Sequence, residues 1–243
     1  MLRRLFFDIE CSKAIALTFT VGRDCYVNPD DIIQYPAIIC ICYKWEGQDK
    51  VYSLQWDSNK NDKTLLEKFV KIAEQADELV GHNGDNFDIK YIRTRCLFHR
   101  ISMMPEFTTL DTYKAAKAGF RFMSNKLDFI AKYVGGKGKT HTGNDLWNDI
   151  TLKNSSKARK IMVEYCKNDV LELENVYLAM KPYTKPKQRI SQEKCNCPEC
   201  DSTNVGVKAY KITLGGNKYA SIQCKDCGKY FKVAESIWRK IVE

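Results

Sequence analysis

The sequence predicts an α/β domain, a mixed sheet flanked by helices, followed by a small C-terminal element of β-hairpins. Three observations carry this reading. Short apolar and β-branched runs alternate with helical periodicities over roughly the first 180 positions. The early runs follow one another closely enough to pair antiparallel, and the later ones are separated by helical stretches. Near the C-terminus stand two Cys-x-x-Cys knuckles, Cys197–Cys200 and Cys224–Cys227, with 23 residues between them. A chain of 243 residues has room for one sizeable domain and one small one.

The first strand is Leu5-Phe6-Phe7-Asp8-Ile9-Glu10. Residues two apart on a strand share a side, so Asp8 and Glu10 face one way while Phe7 and Ile9 face the other. Two like charges in a buried setting are costly unless a cation lies between them, and a divalent metal is the simplest such cation. The competing reading puts both acids in a surface turn. A second strand over 16–21 leads into a polar excursion reaching Tyr35. Strands follow over 37–45 and 51–55, with Gly47-Gln48-Asp49 turning between them. Leu65, Leu66, Phe69, Ile72 and Ala73 recur at helical spacing, and a short strand lies at 78–80.

Gly81-His82-Asn83-Gly84-Asp85-Asn86-Phe87-Asp88 joins that strand to a helix over about 86–98. Loops leaving strand ends in α/β sheets are where ligands sit. Asp88 falls in the first helical turn, where a carboxylate is also favoured for structural reasons. Asp85 or Asn86 would cap the helix, and Phe87 reads as core packing. His82 is a base or a loop histidine holding backbone, and Asn83 suits a turn. A short strand over 107–110 ends at Asp111, and a helix begins near Tyr113. Ser124-Asn125-Lys126-Leu127-Asp128 reads as a cap, with Asp128 in the capping role rather than on a metal. The glycine-bearing loop 135–143 contains Lys137, Lys139 and His141. It would cradle phosphate or be an ordinary exposed loop. The strongest helix spans about 156–180, with Tyr165 one turn before Asp169. Asp8, Glu10, Asp88 and Asp169 together form a hard oxygen donor set suited to Mg²⁺ or Mn²⁺, two of which would cut a phosphodiester.

These stretches resemble the three motifs of the DEDD-type 3′–5′ exonucleases with a ribonuclease-H-like fold, in their tyrosine-containing branch, which includes DNA polymerase proofreading domains. Asp8-Ile9-Glu10 is similar to the first motif. Asn83, Phe87 and Asp88 are similar to the second, and Tyr165-Cys166-Lys167-Asn168-Asp169 to the third. Ser124 to Asp128 resembles the stretch between the second and third. The resemblance covers about residues 2–180. It implies a ribonuclease-H-like sheet and two catalytic Mg²⁺ or Mn²⁺ ions on Asp8, Glu10, Asp88 and Asp169. It also implies that Tyr165 orients the attacking water and that Asn83, Phe87 and Asn125 contact substrate. The reaction implied is hydrolysis from a 3′ end, releasing nucleoside 5′-monophosphates. Cys11-Ser12 stands where many relatives carry Thr or Ser directly after the Glu.

Residues 181–194 form a basic, proline-containing linker, and 195–243 a compact cysteine module. Cys197, Cys200, Cys224 and Cys227 fit a closed structural Zn²⁺ site, a zinc ribbon, with Cys195 a spare thiol nearby. Residues 1–180 hold 26 Lys+Arg against 24 Asp+Glu, whereas 181–243 hold 13 against 6, giving +2 and +7. Four thiolates around one Zn²⁺ would lower the tail to about +5. Lysines such as Lys208 and Lys211 beside tyrosines would bind single strands; otherwise the tyrosines complete a small core and the lysines aid solubility.

No stretch is long and apolar enough to span a membrane, and an apolar leader is missing. The expectation is an intracellular protein, cytoplasmic or in a host-cell compartment. The layout loosely resembles stand-alone phage or viral nucleases. Expected partners are nucleic acid, above all single-stranded DNA or DNA 3′ ends, and a replication or repair protein. The alternatives are an exoribonuclease, a structure-dependent endonuclease or an inactive nucleic-acid-binding scaffold. The presence of all four acids and Tyr165 favours an enzyme.

Overall fold

The computed structural model describes residues 2–22, 25–138, 143–185, 189 and 193–242. Lys139 and His141 lie outside the described residues. A five-stranded sheet in the order β5-β4-β1-β6-β7 forms the centre of the larger part. Its strands are β1 (Arg4–Cys11), β4 (Ile38–Trp45), β5 (Tyr52–Gln55), β6 (Glu78–Gly81) and β7 (Thr109–Asp111). β1 pairs antiparallel with β4 and parallel with β6, and β6 with β7 is parallel, so the sheet is mixed as expected. The excursion before β4 carries a separate two-stranded ribbon, β2 (Ile15–Ala16) with β3 (Ile32–Gln34). The strand expected over 16–21 is reduced to its first residue. Leu17, Phe19 and Val21 lie exposed beyond it, and exposed apolar groups gain nothing from strand pairing.

Two neighbouring phenylalanines show how the helices are distributed. Phe6 meets Tyr177 of α6 (Ser156–Met180) edge-on at 5.2 Å, and Phe7 packs against Phe69 of α1 (Lys63–Ala73) at 5.4 Å. Consecutive strand residues face opposite ways, so α6 and α1 cover opposite faces of the sheet. α2 (Asp88–His99) packs on α1, while α4 (Leu127–Tyr133) and α5 (Asn144–Lys153) pack on α6; α3 (Thr112–Gly119) follows β7. α6 begins at Ser155, whose hydroxyl accepts from the Ala158 N–H at 3.2 Å.

Buried Asp62 ties α2 to β4. It accepts from the Ile38 N–H at 2.9 Å and from Arg95 at 2.7 and 2.8 Å, and it meets His99 at 2.6 Å. Capping differs from the expectation at two helices. α2 starts at Asp88 without a side-chain cap from Asp85 or Asn86. α4 starts without one from Asn125, and Asp128 pairs instead with Lys132 one turn on, at 2.9 Å.

The C-terminal part is a three-stranded antiparallel sheet, β10-β9-β8, closed by α7 (Glu235–Val242). Its strands are β8 (Val205–Ile212), β9 (Lys218–Cys224) and β10 (Tyr230–Ala234). Its small core comprises Cys195, Cys197, Ala220, Ile222, Cys224, Phe231, Val233 and Trp238. The tyrosines do not fill that core: Tyr210 and Tyr230 are exposed, and Tyr219 lies under the Lys232 ammonium at 4.5 Å. Among the described residues no helix is long and apolar enough to cross a membrane.

Candidate active site

The even-numbered side chains of β1 share the α6 face. Phe6 already touches Tyr177 there, so Asp8 and Glu10 point toward the same helix. α6 supplies Asp169, buried in the interface. Carboxylate oxygens of Asp8, Glu10 and Asp169 all lie within 4.8 Å of one another. Three carboxylates at this spacing are a donor set for a hard divalent cation, which would offset their mutual repulsion, so the residues fit such an ion.

Asp88 approaches from the other neighbour of β1. Pairing of β1 with β6 extends only from Arg4 to Phe6, because β6 ends at Gly81 and the chain turns away. The Ile9 N–H, between the two acids in sequence, is thereby left over from the ladder. Asp88 Oδ1 accepts it at 3.2 Å. Asp88 is therefore fastened beside the acidic group by the strand that carries two of its members. Cys11 lines the same place: burial pushes its thiol up, and Glu10, Asp88 and Asp8 add to the effect.

The turn that delivers Asp88 depends on Asp111, a residue without an assigned role in the sequence. Its carboxylate accepts from the Asn83 N–H at 2.9 Å, from the Asp85 N–H at 3.4 Å, and from Tyr113 and Lys114 at the start of α3. The only signal in the sequence was its place at a strand end before a helix. Asn83 takes positive φ (64°), and a Cβ on Gly84 would come within 3.2 Å of Gly81 Cα, so this turn is tight. Both ring nitrogens of His82 are occupied, by Thr112 Oγ1 and the Asn125 carbonyl, each at 2.9 Å. The loop-holding reading of His82 is the one this geometry matches.

Phe87 departs from the core-packing expectation. It is 46% exposed, leans on Tyr91 with ring centroids 5.6 Å apart, and borders a groove of about 760 Å³ along α2. Tyr35, Lys90, Tyr91 and Phe98 line the same groove. Asn125 is half-buried, and its side-chain Oδ1 has no hydrogen-bond partner among the described residues. Tyr165 is half-buried and meets Trp147 edge-on at 6.4 Å. Lys137 is exposed on a loop pinned to α6 from both sides of Asp169. The Lys137 N–H donates to Glu172 Oε1 at 3.0 Å, and Asn168 Nδ2 donates to the Gly138 carbonyl at 3.1 Å. A Cβ at Gly136 would collide with Glu172. Lys208 and Lys211 are exposed on β8, within the C-terminal part.

Behind the acids stand three buried thiols, Cys40, Cys42 and Cys166, which only the tertiary fold brings together. Cys40 and Cys42 pair across the ladder with Glu10 and Asp8. Burial pushes the Cys166 thiol up, so it remains a donor, 3.4 Å from the Asp8 carbonyl and 3.6 Å from Asp8 Oδ2. Cys166 thus helps orient Asp8.

The second metal-type group is Cys197, Cys200, Cys224 and Cys227, again with all ligand atoms within 4.8 Å. Cys197 and Cys227 sulfurs are 3.6 Å apart, and those of Cys200 and Cys224 3.7 Å. A tetrahedral Zn²⁺ with Zn–S about 2.3 Å needs sulfur–sulfur edges of about 3.8 Å, so the four residues fit it. Cys195 joins the small core and not the sulfur group.

Residues 34–181 match the RNase_H superfamily, more than half of the chain. The chain belongs to the RNase_H superfamily. Among solved structures it is similar to the family B DNA polymerase of the hyperthermophilic archaeon Pyrobaculum calidifontis, with a TM-score of 0.58 and 16% identity. The alignment covers 75% of this chain and 25% of that polymerase, so this RNase_H-superfamily chain spans about a quarter of its length. No curated protein sequence matches it. The mixed sheet flanked by helices is the superfamily's topology, with the acidic group on its central strand and on α6.

Proposed function

We propose that this chain is a metal-dependent 3′–5′ exonuclease of the tyrosine-containing DEDD branch, acting on single-stranded DNA or DNA 3′ ends and releasing nucleoside 5′-monophosphates. The observation that carries the reading is the meeting of Asp8, Glu10 and Asp169 within 4.8 Å, with Asp88 fastened to the backbone between the first two. When bound, two Mg²⁺ or Mn²⁺ ions supply an activated water and stabilise the charge on the leaving oxygen.

The chain's own residues do the rest. Asp8, Glu10, Asp88 and Asp169 hold the ions, and Cys166 fixes the rotamer of Asp8 through its thiol. Tyr165, one turn before Asp169, orients the attacking water with its hydroxyl. Its phenol serves here as a hydrogen-bond partner and not as the base. Phe87, Tyr91 and Phe98 along the α2 groove offer aromatic faces to unstacked bases, and Lys90 offers a charge to the phosphates. Asn83 and Asn125 border the same turn. Lys137, held out on the loop that Glu172 and Asn168 pin, offers a charge to the backbone of the bound nucleic acid. The cysteine module is a zinc ribbon whose Lys208 and Lys211 extend the contact with nucleic acid, and a replication or repair protein brings the substrate.

The test uses DNA and RNA oligonucleotides labelled in turn at each end, incubated with Mg²⁺ or Mn²⁺. Mononucleotide release from a free 3′ end is the expected result. Equal cutting of a circular or 3′-blocked strand would replace the exonuclease reading with an endonuclease, and faster loss of the RNA would make it an exoribonuclease. Inertness of every substrate with intact metal binding would leave a scaffold.

A further inference from the structure

One of the two residues between the cysteines of the first knuckle is turned away from the sulfurs. Glu199 lies between Cys197 and Cys200 in the sequence, yet its carboxylate reaches into the larger domain. Its Oε1 meets Arg4 Nη2 at 2.8 Å and Lys181 Nζ at 3.2 Å, and accepts from the Tyr177 hydroxyl at 3.2 Å. Its Oε2 lies 3.7 Å from Lys229 Nζ, two residues past the second knuckle. Arg4 also binds Glu78 at 2.7 Å and Glu46 at 2.9 Å, and Lys181 binds Glu46 at 3.1 Å. The Lys229 ammonium donates to the Lys181 carbonyl at 2.9 Å. Three cations and three carboxylates thus balance, and Arg4, Glu78, Glu199 and Lys229 are each more than nine-tenths buried.

The position of this cluster matters as much as its composition. Arg4 shares the face of β1 that carries Asp8 and Glu10 further along. Tyr177 lies on α6 two turns beyond Asp169, packed on Phe6 and 5.6 Å from the Arg4 guanidinium. Glu199 therefore grips, at one end, the same strand and helix that bring the three acids together at the other.

From these contacts we infer that the cysteine module is a metal-dependent clamp on the nuclease fold, with Glu199 as its latch. The inference rests on reading the four cysteines as a zinc site and is independent of the exonuclease reading. The knuckle holds Glu199 in place only while its sulfurs converge, and a module with so small a core draws its folding free energy from its metal. Once the knuckle opens, Arg4 and Tyr177 lose a buried partner. Breaking a buried ion pair from one side is the costly way to break it.

The test is hydrogen exchange of the full chain read by mass spectrometry, with bound zinc measured in the same samples. Removing zinc with a chelator should speed exchange in residues 4–11 and 173–180 by about tenfold or more, besides loosening 195–240. Glu199→Ala should keep its zinc, show the faster exchange of 4–11 and 173–180 without chelator, and respond no further there when chelator is added. Should the alanine variant fold poorly, Glu199→Gln, which keeps an acceptor for Tyr177 but loses the charge, should show the same pattern more weakly. Two results would overturn the clamp: loosening confined to 195–240 on zinc loss, or unchanged exchange of β1 and α6 in both Glu199 variants. Protein that neither carries nor takes up zinc would overturn the zinc reading beneath it. None of these outcomes depends on whether the acidic site cuts nucleic acid.

Discussion

The two metal-type groups of this chain are assembled in opposite ways. The carboxylates come from places far apart in the sequence: a central strand gives Asp8 and Glu10, and a helix near the end of the domain gives Asp169. The sulfurs come from two tight knuckles, one in the turns before β8 and one at the end of β9. The acids stand on a large apolar core that Phe6, Phe7, Phe69 and Tyr177 help fill, so the fold holds them whether or not an ion is bound. The sulfurs stand on a very small one, and on the zinc reading an ion would keep them together. The acidic group is thus a consequence of folding and the sulfur group a condition for it. Changes in the first should cost activity and leave structure, and changes in the second should cost structure.

The largest expected effect tests that contrast directly. Asp8→Asn, Asp88→Asn and Asp169→Asn should each lower cleavage by about a hundredfold or more, since losing even a supporting group of a metal site costs about 10- to 100-fold. Far-UV circular dichroism and thermal unfolding should stay near those of the parent protein. Full activity in the Asp8 variant would remove the acidic group from the chemistry. Next comes Cys197→Ser combined with Cys200→Ser. It should release the zinc, unfold 195–240 and lower the unfolding midpoint of the larger domain through the loss of Glu199. An unchanged midpoint for that domain would make the two regions independent.

Asp62 extends the comparison to pH. Burial alone would raise its pKa, but Arg95, the Ile38 N–H and His99 outweigh that and hold it below the ordinary carboxylate value. A depressed folded-state pKa contributes stability that is fully present above the unfolded value of about 3.9 and is lost as pH falls through the folded one. Denaturant midpoints should therefore drop below about pH 4. Asp62→Asn should lack that acid limb and be less stable by about 3 kcal/mol at neutral pH, because Arg95 stays buried without its partner. A limb of equal slope in the variant would place the acid sensitivity elsewhere. α2, which carries Asp88, is the element that Asp62 holds.

Much of this was legible in the sequence because periodicity and spacing are local. β1, β4 and α6 follow from runs in which nearly every inward position is apolar, and α6 spans the expected 156–180. The four sulfurs follow from spacing alone. α5 was not legible: it begins after the glycine loop, and Leu146, Trp147 and Ile150 are too few to mark a period. Asp111 and Cys166 were not legible either, because their roles lie in backbone groups and in a carboxylate supplied from elsewhere in the chain. Glu199 is the extreme case. Nothing in the local sequence marks it, and only the docked fold turns it inward.

A smaller effect is expected at Phe87. Its ring is largely outside the core, so Phe87→Ala should leave the unfolding midpoint nearly unchanged while raising KM for a single strand by about tenfold, the cost of one lost base–aromatic stack at the low end of its range. A fall in kcat with unchanged KM would assign the ring to positioning the scissile bond instead.

The smallest effect belongs to the basic face of the cysteine module, and it shows whether the two regions share one substrate. Lys208 and Lys211 are exposed on β8, away from the Glu199 contacts, so replacing both with alanine should not disturb zinc or the clamp. If each meets a phosphate, the double variant releases two fewer counterions on binding. The slope of log affinity against log salt for a single strand should then flatten by about 1.4, since each contact contributes about 0.7. At the lowest salt the affinity loss should be greatest, and at high salt the variant and parent curves should converge. Cleavage of a strand too short to reach β8 should be the same in both proteins. Parallel salt curves would detach the module from nucleic acid and leave it the structural role that Glu199 gives it.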